Sequence, residues 1–67
     1  MKLTVNGQQL KLPDEIRMVD DLLAYFKLTG KIVVVEIDRQ IIAKSAYAET
    51  FLTENNRIEI VHFVGGG

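Results

Sequence analysis

Along the first dozen residues, apolar and polar positions alternate. Met1, Leu3 and Val5 are separated by Lys2 and Thr4, and Leu10 and Leu12 flank Lys11. A period of two is the mark of a strand with one buried face. Asn6-Gly7 lies between the two runs, and both residues tolerate the positive φ of a tight hairpin turn. A β-hairpin is therefore predicted, ended at Pro13, which has no N–H to give to a ladder. The period then changes. Val19, Leu22, Leu23 and Phe26 fall at i, i+3, i+4 and i+7, one apolar stripe on a helix of about ten residues. Asp20 and Asp21 sit in its first turn, where the helix dipole favours negative charge. Met18 is a weak N-cap because it offers no side-chain acceptor. Gly30 is expected as the left-handed residue that stops the helix.

Residues 32–37 are short and mostly β-branched, which predicts a third strand. Asp38-Arg39 is a tight connection to a fourth, over 40–43. Residues 44–56 have no clean period; Tyr47, Phe51 and Leu52 are expected to anchor this loop, with a short helical turn inside it. Glu54-Asn55-Asn56 is turn chemistry. A last strand over 57–64 runs into Gly65-Gly66-Gly67. The order β-β-α-β-β-β describes an α+β roll, a mixed five-stranded sheet with one main helix on one face. A ferredoxin-like alternative would need a second helix over 44–52, where no helical stripe exists. One domain over 1–64 with a flexible glycine tail over 65–67 is expected.

Strand parity predicts the two faces. Ile58 and Ile60 alternate with Glu59, Val61 and Phe63, and Val33, Val35 and Ile37 with Ile32, Val34 and Glu36. If the first set of each faces the helix, Val34, Val61 and Phe63 form an exposed apolar patch beside the tail, a common mark of a protein-binding surface. Glu36, Arg39 and Glu59 are candidates for its polar rim. The alternatives are that the 44–56 loop covers these residues, or that the parity is reversed.

Composition narrows the chemistry. The 67 residues are 48% hydrophobic and 25% charged, with no cysteine and a net charge of −1. That is one small domain with no disulfide or thiolate metal site. A charge of −1 disfavours nucleic acid and anionic membranes as partners. The longest apolar run, 32–35, is far short of the ~20 residues of a membrane-spanning helix. No signal peptide is visible, so a cytoplasmic location is expected. His62 is the only histidine and Ser45 the only serine. Neither a metal set nor a serine–histidine pair is offered. Asp14-Glu15 and Asp20-Asp21 read as solvated turn and helix-start charges. Gly7 and Gly30 are isolated, so no phosphate loop exists. An autonomous enzyme with its own cofactor is not expected.

The end of the chain is unusual. A strong strand passes directly into three glycines. They are either a frayed end or cloning scar, or the arm of a reactive carboxylate. Glycine suits the second role: without a Cβ it leaves the carbonyl open to attack and lets the arm thread a narrow channel. A carboxylate is a poor electrophile, so another protein would have to activate it, most simply as an acyl-adenylate made from ATP. A sulfur or amine nucleophile would then displace AMP.

With its ββαβββ order, Asn6-Gly7 turn, Val19-Asp20-Asp21-Leu22-Leu23 helix start, hairpin Val35-Glu36-Ile37-Asp38-Arg39-Gln40-Ile41-Ile42 and strand into Gly65-Gly66-Gly67, the chain resembles the sulfur carrier proteins of thiamine biosynthesis (ThiS), ubiquitin relatives with the β-grasp fold. The resemblance covers essentially the whole chain. It implies that an E1-like adenylyltransferase (ThiF type) adenylates Gly67, and that sulfur from cysteine, delivered by a system such as a cysteine desulfurase, converts it to a thiocarboxylate. Thiazole synthase (ThiG type) would then take the sulfur into the thiazole ring. The family residues carried over are Gly66 and Gly67, with Gly65 as extra slack in the threading tail. Met18 departs from the threonine common at that helix start. Rival functions are the small subunit of molybdopterin synthase, whose chains are generally longer; a ubiquitin-like modifier; and a passive β-grasp module.

Overall fold

The computed structural model describes residues 1–63. Strands β1 (Lys2–Val5) and β2 (Gln8–Lys11) pair antiparallel, with Leu3 opposite Leu10. Asn6 at φ 51° and Gly7 at φ 81° make the left-handed turn between them. Two left-handed residues give a turn whose twist matches that of the strands.

Helix α1 (Val19–Tyr25) has seven residues, fewer than the apolar stripe predicts. Its start does not depend on a side chain at Met18. The Asp21 carboxylate reaches back and accepts from the Met18 N–H at 2.9 Å and the Arg17 N–H at 3.0 Å. The N–H groups of Val19 and Asp20 donate to the carbonyls of Thr50 and Tyr47, at 3.0 and 3.1 Å. These bonds satisfy donors that every helix start leaves open. Its end corrects the expectation for Gly30. Lys27 takes the left-handed position at φ 60°. Its N–H donates to Ala24 at 3.0 Å, and that of Leu28 to Leu23 at 2.7 Å. This is a Schellman ending, and Leu28 is partly buried against the core. Gly30, at φ 76°, belongs to the next turn.

Strands β3 (Val33–Ile37) and β4 (Gln40–Ile42) form the second hairpin, and β5 (Arg57–His62) completes the sheet. The order is β2-β1-β5-β3-β4, with β1 and β5 parallel at its centre and the other pairs antiparallel. Asp38 and Arg39 turn the second hairpin at φ 49° and 73°. This is costly backbone for residues with a Cβ. The Asp38 carboxylate offsets it by accepting from the Arg57 N–H at 2.8 Å and the Asn56 Nδ2 at 2.7 Å. Ile32 lies just before β3, although its carbonyl accepts from the Phe63 N–H at 3.1 Å. The proposed strand end at Val64 and the glycine tail lie outside the described residues.

The core forms between α1 and one face of the sheet. Leu3, Val19, Leu22, Val35 and Ile58 are fully buried there. The 44–56 segment closes it with a 3₁₀ turn (Lys44–Ala46) and buried Tyr47 and Leu52. Phe51 is not an anchor, being 65% exposed. Its backbone bridges Met18, and the Leu52 N–H donates to Arg17 at 2.7 Å. In such an extended stretch, successive side chains point to opposite sides, so burying Leu52 turns Phe51 out.

Candidate functional site

The sheet face away from the helix holds the candidate site. Cross-strand register builds it in rows. Glu36 stands opposite Glu59 on β5 and opposite Ile41 on β4; Val34 stands opposite Val61. Beyond them, the Phe63–Ile32 hydrogen bond extends the β3–β5 ladder toward the end of β5. Val61 and Phe63 are each 52% exposed, while Ile32 and Ile41 exceed 70%. Val34 and Glu36 are half-buried and Glu59 is exposed. Of the predicted patch, Val61 and Phe63 are exposed and Val34 is only half-exposed; the 44–56 loop does not cover them, its buried residues packing on the helix side. Arg39 is not beside it; it sits at the tip of the β3–β4 turn.

Two contributors were not assigned to the patch from the sequence. Strand parity places Ile32 on the outward face, beyond the three residues of the predicted patch. Ile41 lies on a three-residue strand too short for parity to decide. The two-residue turn at Asp38-Arg39 was the available signal, because it sets Gln40 opposite Ile37 and hence Ile41 opposite Glu36.

Asn6 is a further residue the sequence did not single out beyond its turn. Its side-chain amide continues the sheet after β1 turns away. Asn6 Oδ1 accepts from the Ile60 N–H at 2.7 Å, and Nδ2 donates to the Ile60 carbonyl at 3.2 Å. This clamp fixes β5 just before the exposed patch begins.

His62 is exposed and lines a cleft of about 210 Å³ with Val5, Asn6, Phe26, Leu28 and Ile60. Among the described residues, no group of three His, Cys, Asp or Glu side chains is placed to hold a metal ion. No described helix is long and apolar enough to cross a membrane. Asp14, Glu15 and Asp20 are exposed, and Asp21 is spent on the helix start. The Met18 N–H, then that of Arg17, hold the Asp21 carboxyl below its ordinary pKa of 3.8, with a smaller contribution from the Arg17 charge. Gly65, Gly66 and Gly67 lie outside the described residues.

A mixed five-stranded sheet with one helix across a single face, and an exposed apolar surface on the other, defines a ubiquitin-like β-grasp protein. Comparison with known proteins narrows this. The model of the ThiS family matches residues 2–67, and the chain belongs to that family. It is 46% identical over 65 residues to the sulfur carrier protein ThiS of Bacillus subtilis, covering 97% of this chain and 98% of that one. It is 34% identical to a thiazole synthase of Paramagnetospirillum magneticum; all of this chain aligns there with 20% of that protein. The crystal structure of the thiamine biosynthesis protein (ThiS) of Geobacter metallireducens superposes with a TM-score of 0.82, at 29% identity and full coverage of both chains.

Proposed function

We propose that the chain is a sulfur carrier for thiamine biosynthesis, a protein co-substrate rather than a catalyst. The observation that carries this is the full-length match to a ThiS sulfur carrier, together with a family match that runs through the glycines to residue 67. In this reading the Gly67 carboxylate attacks the α-phosphate of ATP on an E1-like, ThiF-type enzyme, and pyrophosphate leaves. A persulfide, formed from cysteine sulfur by a desulfurase-type system, attacks the acyl carbon and AMP leaves. A second thiol then cleaves the resulting acyl disulfide, forming a disulfide with the persulfide's carrier sulfur and freeing the thiocarboxylate. The resulting thiocarboxylate gives its sulfur to thiazole synthase. ATP belongs to the activating partner, and the cycle runs in the cytoplasm.

The folded body is the grip for these partners. Val34, Val61 and Phe63 form the docking patch. Gly67 lies four residues beyond Phe63. Even a fully extended arm would therefore carry its carbonyl no more than about 14 Å from the patch. A partner that seats the patch has its catalytic centre within that reach. Gly65 and Gly66 offer no side chain to obstruct a narrow channel on the way. Thiazole synthase as the recipient is supported by two proteins named thiazole synthase that are 34% and 30% identical to this chain, each aligning with all of it over 20% of its own length.

Intact-protein mass spectrometry tests the proposal. After incubation with ATP, the activating enzyme and a sulfur source, the chain should gain the mass of sulfur replacing oxygen, localised to Gly67. Deleting Gly66 and Gly67 should abolish this and leave the fold intact. Unmodified protein alone, in the presence of a demonstrably active activating enzyme, refutes the assignment. Lysine isopeptide conjugates without thiocarboxylate would replace it with a protein modifier.

A further inference from the structure

The outer face carries a pair of carboxylates that folding does not explain. Glu36 and Glu59 stand directly opposite each other on β3 and β5. Like charges in opposed positions repel and weaken a sheet. Neither β3 nor β4 contains a lysine or arginine to offset them. Arg57, the next outward residue along β5, lines a separate cleft with Asp38 and Arg39 at the far end of the sheet. The pair is bordered instead by apolar residues: Ile41 beside Glu36, and the Val34–Val61 row toward the end of β5.

A protein that covers the apolar rows also removes water from around the two carboxylates. The covered charges then need a counter-charge, because desolvating an unpaired carboxylate is expensive. Opposed side chains have Cβ atoms about 5 Å apart, a spacing that one planar guanidinium with several N–H donors spans. We propose that Glu36 and Glu59 together receive one arginine side chain from the surface of thiazole synthase, while Val34, Val61 and Ile41 pack on apolar residues around it. The pair is then a specificity-determining element: it selects a cationic apolar surface and disfavours a neutral one. This rests on the carrier function proposed above.

The test uses the full chain and the thiazole synthase of the same organism. Affinity is measured by calorimetry across a salt series for wild type, Glu36→Gln, Glu59→Gln and the double variant, with urea unfolding of each chain alone. Glutamine keeps the shape of the face and removes the charge. The dissociation constant should rise about tenfold or more in the double variant. Its dependence on salt should flatten, and the urea midpoint should hold or rise because the repulsion is gone. Opposite movement of binding and stability is what a merely structural role would not produce. The proposal is overturned if affinity stays within about twofold of wild type, or if affinity and stability fall together. Sulfur uptake by the wild-type chain is measured alongside. Uptake with unchanged binding of the variants refutes the acidic pair alone, whereas no uptake refutes the carrier function and this proposal with it.

Discussion

Strand β5 presents two kinds of apolar residue. Ile58 and Ile60 are 0% and 8% exposed, whereas Val61 and Phe63 are each 52% exposed. The first pair is apolar because α1 and the 44–56 segment cover it, and that burial stabilises the fold. Among the described residues, nothing in the chain covers the second pair, so polar side chains there would serve solubility better. Hydrophobicity in one strand thus has two causes, and only one of them is folding. The other, in the function proposed above, is association with a partner.

Truncation on the inner face should have the largest effect. Ile58→Ala should cost about 2–5 kcal/mol. In a domain this small that is a large share of total stability. Urea unfolding followed by circular dichroism measures it, and a loss below about 1 kcal/mol would mean that the inner face is not the main core. Next comes the clamp that presents both faces. Asn6→Ala removes both amide bonds and should cost about 1–3 kcal/mol, chiefly by leaving the Ile60 N–H without a partner. Asn6→Gly keeps the positive φ and loses only the clamp. Its amide exchange should therefore quicken most at Ile60. Uniform quickening across β5 would show that the turn, not the amide, sets the register.

On the outer face the same kind of truncation should act elsewhere. The Val61→Ala/Phe63→Ala double variant should unfold within about 1 kcal/mol of wild type, yet bind thiazole synthase about tenfold or more weakly. A stability loss comparable to that of Ile58→Ala would erase the distinction between the faces.

Much of this contrast was legible in the sequence, because period and parity are local. Alternation over Met1–Val5 and the Asn6-Gly7 pair marked the first hairpin, and parity assigned Val35, Ile58 and Ile60 to the core. What depends on distant partners was not legible. Lys27 holds a left-handed backbone where the Leu28 N–H closes on the Leu23 carbonyl and Leu28 packs against the core, a tertiary preference that outweighs the better intrinsic fit of Gly30. Phe51 reads as a core aromatic, but the Arg17–Leu52 hydrogen bond fixes which of two adjacent apolar residues turns in. The opposition of Glu36 and Glu59 required the β3–β5 register, which joins segments more than twenty residues apart.

The smallest expected effect concerns the cover of the inner face rather than either face itself. Asp21 joins the start of α1 to Arg17 and Met18 through its charged carboxylate. Its pKa in the folded chain lies below the ordinary 3.8, so the unfolded chain takes up the proton first as pH falls. The stabilisation is therefore fully present above 3.8 and is lost as pH drops through the lower folded value. Asp21→Asn should lower the urea midpoint at neutral pH, and this difference should shrink below pH 3.8 as the wild type loses the same charge. Binding of thiazole synthase at neutral pH should not change, because Asp21 lies on the helix side. A gap between wild type and variant that persists at low pH would mean that Asp21 acts through its shape. A change in partner binding would mean that the two sides of the sheet are coupled.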